Sequence, residues 1–126
     1  MPGTRPSVLL VDDDLAIREA LAEILLEEGF AVHTVENGRV ALDWLRHNGS
    51  NGNRPCVVLL DLMMPVMDGR AFLAARSADP SLSAIPVLVI SAENGCSELA
   101  RAPSVSGVFP KPLQLDGLLE AIGRCV

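Results

Sequence analysis

Four apolar runs in this chain each stop at a side chain able to do chemistry. Val8-Leu9-Leu10-Val11 is followed by Asp12 and Asp13, Val57-Val58-Leu59-Leu60 by Asp61, Val87-Leu88-Val89-Ile90 by Ser91, and Val108-Phe109-Pro110 by Lys111. Together they offer carboxylates, one hydroxyl and one ammonium. Hard oxygen donors of this kind suit Mg2+, which keeps several waters and bridges to phosphate. Clustered carboxylates repel one another, and a cation together with Lys111 would hold them ionised. Transfer of a phosphoryl group onto an Asp needs a nucleophilic carboxylate, a metal to neutralise the phosphoryl oxygens and donors to hold them. Nine of the ten basic residues are Arg and Lys111 is the only Lys, so its position asks for an explanation that generic positive charge does not supply.

Each residue also has a plainer role. A single Asp after a strand caps its loop by bonding to backbone N–H groups, which alone would account for Asp61. Asp14 is well placed as the N-cap of the helix that follows, but three adjacent carboxylates are too many for one cap. The convergence of four strand ends is what favours a shared pocket.

The elements that would bring these ends together are legible from periodicity. Short, continuously apolar runs bounded by polar residues read as buried strands, here Ser7 to Val11, the run up to Asp61, and Pro86 to Ile90. Phe30 to Val35 alternates in part, and Val105 to Phe109 is short, with Pro110 at its end favouring a sheet edge. Between the strands, Ile17, Ala20, Leu21, Ile24 and Leu25 recur at helical spacing from Leu15 to Glu28, and Gly29 closes that helix. Asn37-Gly38 reads as a turn before a helix marked by Val40, Ala41, Trp44 and Leu45. Ala71, Phe72, Leu73 and Ala75 mark a third helix, a short one is expected from Ser97 to Ala102, and Leu115, Leu118, Leu119 and Ile122 mark the last. Five β-then-α units joined by right-handed crossovers make an α/β fold, a doubly wound parallel sheet with helices on both faces. Its functional groups would gather beyond the carboxyl ends of the strands.

With 126 residues the chain fits one domain, residues 1–126, and the hydrophobic fraction of 49% argues for a packed core. The net charge of −6 would repel a phosphate backbone, so direct nucleic-acid binding is not expected. No run approaches the roughly 18 apolar residues of a membrane span. The first six residues lack a signal-peptide layout, which points to the cytoplasm. Cys56, Cys96 and Cys125 are odd in number and far apart, without metal spacing. His33 and His47 show no ligand spacing and read as surface or strand residues. The loop from His47 to Pro55, rich in Gly and Asn, carries no chemistry of its own.

Taken in order over the whole chain, VLLVDDD, LLDLMMPVMDG, VISA and FPKPL resemble the receiver domain of bacterial two-component response regulators, of the chemotaxis-regulator kind. The resemblance implies a flavodoxin-like fold with strand order 2-1-3-4-5. It implies that Asp61 is the phosphoacceptor, that Asp12, Asp13, Asp61 and the backbone carbonyl of Met63 bind Mg2+, and that Ser91 and Lys111 engage the phosphoryl group. The Lys111–Pro112 bond is typically cis in such domains. The phosphoryl donor implied is a sensor histidine kinase or a histidine phosphotransfer protein docking near Ile17, and the output is an undetermined downstream protein. Such a domain assists its own phosphorylation and dephosphorylation without being an enzyme in the usual sense. The chain departs from the family pattern where an aromatic residue usually precedes the lysine by three. Val108 stands there with Phe109 next to it, Pro110 directly precedes Lys111, and the segment from Ser91 to Lys111 is slightly short. These departures bear on the output surface, not on the pocket.

Three other readings use the same residues. An Asp-nucleophile phosphatase of the haloacid dehalogenase type would need a second Asp two residues after the first, where Met63 stands. A flavin or nucleotide binder would need a phosphate cradle after the first strand, where Asp12-Asp13-Asp14 would repel the phosphate. A receiver-like interaction module that is never phosphorylated is the third. A free-standing regulator and a receiver cut from a longer protein both fit the sequence.

Overall fold

The computed structural model describes residues 6–48, 55–61, 69–91, 105–110 and 115–125, with the side chains of Ser91 and Pro110 outside that description. In chain order the elements are β1 (Ser7–Val11), α1 (Leu15–Glu27), β2 (Ala31–Val35), α2 (Gly38–Asn48), β3 (Val57–Asp61), α3 (Gly69–Ala78), β4 (Val87–Ser91), β5 (Gly107–Pro110) and α4 (Leu115–Cys125). All strand pairs are parallel, in the order β2-β1-β3-β4-β5. The helix expected between Ser97 and Ala102 falls outside the described residues.

The uninterrupted apolar runs follow from burial on both faces. In β1, β3 and β4 the side chains alternate between two cores. Leu9, Val11, Val58, Leu60, Val87 and Val89 pack with Leu42 and Leu45 of α2 and Phe72 and Leu73 of α3. Val8, Leu10, Val57, Leu59, Leu88 and Ile90 pack with Leu21 and Leu25 of α1 and Leu118 and Ile122 of α4. Burying each such side chain contributes about 1.5–3 kcal/mol, and together these residues hold β1 and β3 side by side at the centre of the sheet.

Local chemistry sets the element ends. Gly29 has φ 95° and takes the left-handed position after α1. Its N–H donates to Leu26 O at 3.1 Å, and the Phe30 N–H donates to Leu25 O at 3.1 Å. This two-bond closure ties Phe30 to the helix, so β2 starts at Ala31 and not at Phe30. Asn37 and Gly38 are not a free-standing turn. The Asn37 side-chain oxygen accepts the Val40 N–H at 2.9 Å, making it the cap of α2, with Gly38 as the first helical residue. β5 lies at the edge beside β4 alone, where Pro110 removes no ladder bond that the sheet needs. It begins at Gly107, two residues later than its apolar pattern, because Ser106 still serves as a connection, its N–H donating to Val87 O at 2.7 Å.

Arg76 of α3 is buried at 4% exposure and holds the turn leading into β4. Its guanidinium donates to Ser83 O at 2.8 Å and to Ile85 O through both Nε, at 3.0 Å, and Nη2. Burial pushes its pKa down from the usual arginine value. Among the described residues, no helix is long and apolar enough to cross a membrane.

Candidate functional site

The parallel sheet brings the ends of β1 and β3 together, and with them three carboxylates. Val11 is in register with Leu60, so Asp12 and Asp61, the next residue on each strand, stand side by side. Asp12 is 1% exposed and Asp61 5% exposed, while Asp13 is exposed. Carboxylate oxygens of Asp12, Asp13 and Asp61 all lie within 4.8 Å of one another.

The three consecutive aspartates have separate tasks. Asp12 extends the β1–β2 ladder by one bond, its N–H donating to Val35 O at 3.2 Å. Its Oδ1 accepts the Asp14 N–H at 2.9 Å. Asp14 caps α1, its Oδ1 accepting from the N–H groups of Ala16 at 2.9 Å and Ile17 at 3.3 Å. Asp13 is left exposed between a buried neighbour and a capping one, at the mouth of the cluster. Asp12 and Asp61 each take part in further interactions.

This donor set fits a hard divalent cation. Two ligands on opposite sides of an octahedral Mg2+ stand about 4.2 Å apart, given Mg–O distances of about 2.1 Å. Oxygens within 4.8 Å of one another therefore need only a small side-chain adjustment, or a water in one position, to share an ion. A cation would also offset the mutual repulsion of three carboxylates, two of them withdrawn from solvent.

Of the other residues singled out in the sequence, Ser91 is the last residue of β4, beside Pro110 in register and one strand over from Asp61. Met63, Lys111 and Pro112 fall outside the described residues. Ile17 is half-buried on α1 and Leu15, just after Asp14, is 58% exposed. His33 lies exposed on β2 with its ring stacked on Trp44 of α2, centroids 4.6 Å apart and planes 18° from parallel. His47 lies exposed on α2. Neither histidine joins the acidic group. Cys56 and Cys125 are free thiols, and burial pushes the Cys125 thiol up.

The sequence did not single out Arg18. Helical spacing puts it off the apolar stripe of α1, and its Nη1 donates to the backbone oxygen of Asp12 at 2.7 Å. The available signal was its place one turn into the helix that leaves the acidic strand end, where a long donor can reach back to the strand's last carbonyl.

The model of the response regulator receiver domain family matches residues 8–123. Response regulator MprA of Mycolicibacterium vanbaalenii is 35% identical over 114 residues, covering 89% of this chain and 46% of that protein. The chain thus spans about half the length of this curated relative. Among solved structures, chemotaxis protein CheY4 of Vibrio cholerae superposes with a TM-score of 0.83 at 28% identity, covering 98% of this chain and 100% of the other. The Mn2+-bound form of response regulator Rcp1 superposes with a TM-score of 0.74 at 28% identity, covering 93% and 88%.

Proposed function

The chain belongs to the response regulator receiver domain family of two-component systems, and from that premise we propose that it accepts a phosphoryl group on Asp61 with the help of Mg2+. The observation that carries this reading is the grouping of the Asp12, Asp13 and Asp61 carboxylates at the ends of two adjacent strands.

Asp61 supplies the nucleophile. One of its carboxylate oxygens forms a bond to phosphorus, the bond from phosphorus to the donor's imidazole nitrogen breaks, and that nitrogen keeps the electron pair. Its place at the end of a buried strand limits the angles from which a donor can approach. Asp13 would hold the metal directly, Asp12 chiefly through water, and the carbonyl of Met63 would add a protein ligand. Bound there, Mg2+ neutralises charge on the phosphoryl oxygens. Ser91 and Lys111 would donate to those oxygens, the ammonium as a compact point charge. That the similar response regulator Rcp1 has a Mn2+-bound form supports a divalent ion in this reading.

The donor is a phosphohistidine on a sensor kinase or phosphotransfer protein, which approaches along α1 near Ile17. Residues 1–126 act as one receiver unit on the cytoplasmic side, assisting their own phosphorylation and dephosphorylation and passing the signal to a downstream protein. Incubation with acetyl phosphate and Mg2+, followed by intact mass, tests the reading. One added phosphoryl group is expected, lost on chelation of the metal and absent in Asp61→Asn. Labelling of Asp61→Asn at the wild-type rate and with the same Mg2+ dependence would remove Asp61 from this role.

A further inference from the structure

Arg18 directs its guanidinium at a backbone carbonyl. It shares a recess of about 280 Å3 with Glu36, yet makes no ion pair with any described carboxylate. Its hydrogen bond goes instead to the oxygen of Asp12. Holding a long, half-buried side chain in one rotamer costs conformational entropy, which the charge-assisted bond has to offset. The choice of partner therefore matters.

We infer that Arg18 is a positioning residue for the metal-holding carboxylates, an inference that rests on the phosphoacceptor reading of this same site. The Asp12 carbonyl belongs to the planar peptide that joins Asp12 to Asp13. The Asp12 N–H is already fixed on Val35 O. Pinning the carbonyl as well fixes the next peptide plane, and so the direction in which Asp13 leaves the backbone. The arrangement closes on itself in three bonds. The Arg18 N–H donates to Asp14 O at 3.0 Å, the Asp14 N–H donates to the Asp12 carboxylate at 2.9 Å, and the Arg18 side chain returns to Asp12 O at 2.7 Å. The first turn of α1 and the acidic strand end move as one piece. Asp13, exposed and without a hydrogen-bond partner among the described residues, depends on this ring for its aim at Asp12 and Asp61.

The sign of one measurement separates this role from a simple charge effect. As a nearby cation alone, Arg18 would repel Mg2+, and its removal would tighten metal binding. As a positioning residue, its removal loosens binding. The experiment uses the full chain carrying Arg18→Met or Arg18→Lys, with Mg2+ titrated by calorimetry and the exchange of the Asp13 and Asp14 amides followed by NMR in the absence of metal. Arg18→Met is expected to bind Mg2+ about tenfold more weakly, the scale seen when outer partners of metal ligands are lost. It should also exchange the Asp14 amide several-fold faster, with thermal unfolding showing the fold intact. Arg18→Lys, which keeps a donor on a long stem, should recover part of both losses. Mg2+ binding unchanged or tighter in Arg18→Met, or no recovery in Arg18→Lys, overturns the inference. If the wild-type chain binds no Mg2+, the phosphoacceptor reading fails by itself. The metal-free amide exchange then decides the tether, with faster exchange in Arg18→Met supporting it and unchanged exchange overturning it.

Discussion

The backbone N–H of Asp14 donates to the carboxylate of Asp12 at 2.9 Å, which commits one oxygen of the buried aspartate to its own chain before any ion arrives. The neighbouring Asp13 is exposed, with no hydrogen bond to a described residue on its carboxylate. Two adjacent residues of the same type are therefore not equivalent toward a metal.

On the proposed assignment of Asp13 as a direct ligand, Asp13→Ala should lower Mg2+ affinity by tenfold or more and slow phosphorylation in step. Asp12→Asn keeps the acceptor for the Asp14 N–H and should have the smaller effect on affinity. Calorimetric titration of the two variants checks the ranking, and equal losses would show that both carboxylates touch the ion.

Arg76 should matter to stability and not to metal binding. Truncation to Ala leaves the buried carbonyl of Ile85 and the carbonyl of Ser83 without their charged donor, a loss of about 2–4 kcal/mol. Lys cannot reproduce a fork that bonds Ile85 O through two nitrogens, so Arg76→Lys should recover less than half of the loss. Urea unfolding with the slope held constant measures both.

Glycines at three positions should respond with opposite signs. Gly117 and Gly123 sit on exposed positions of α4, where a methyl group would meet nothing within 4 Å. Ala at either site should raise stability by about 0.5–1 kcal/mol through helix propensity. Gly29 has open space too, but its φ of 95° is strained for any other L-residue, and Gly29→Ala should lower stability by about 1 kcal/mol. A gain at Gly29 in thermal unfolding would contradict the left-handed closure of α1.

Val108 and Phe109 lie on opposite faces of the edge strand β5. Val108 packs toward the core shared with α2 and α3, and Phe109 toward the core shared with α1 and α4. In the family pattern an aromatic stands at the Val108 position and fills the space left when a hydroxyl at the Ser91 position turns toward the phosphoryl group. Val has one stiff χ1 and too little volume to swing inward, and Phe109 faces the wrong side to replace it. A ligand shifts a two-state element only through contacts that differ between the states. Addition of beryllofluoride and Mg2+ should therefore alter amide exchange near Asp61 more than across residues 105–122. Equal protection in both regions would show that the output surface switches without an aromatic.

The strands, most of the helices and the three clustered carboxylates were legible in the sequence for one physical reason. A strand buried on both faces must be apolar throughout, so a polar residue at its end is conspicuous, and in a parallel sheet all such ends lie on one edge. Asp12, Asp13 and Asp61 could be named as one group from this alone. Strand order could not, because periodicity reports which faces are apolar and not which neighbour covers them, and the order came from the family resemblance. Tertiary structure decided what depends on the direction of individual peptide groups. Asn37 proved to be a cap because its side chain meets the Val40 N–H, and Phe30 was drawn out of β2 by its bond to Leu25 O. Arg76 and Arg18 have the same composition signal as any surface arginine, and only the placement of carbonyls from distant or folded-back segments turns one into a buried clamp on Ile85 and the other into a tether on Asp12. The division of labour among Asp12, Asp13 and Asp14 arose in the same way. Three identical side chains in a row were separated by the pleat of a strand end and the first turn of a helix, which bury one, expose the next and use the third as a cap.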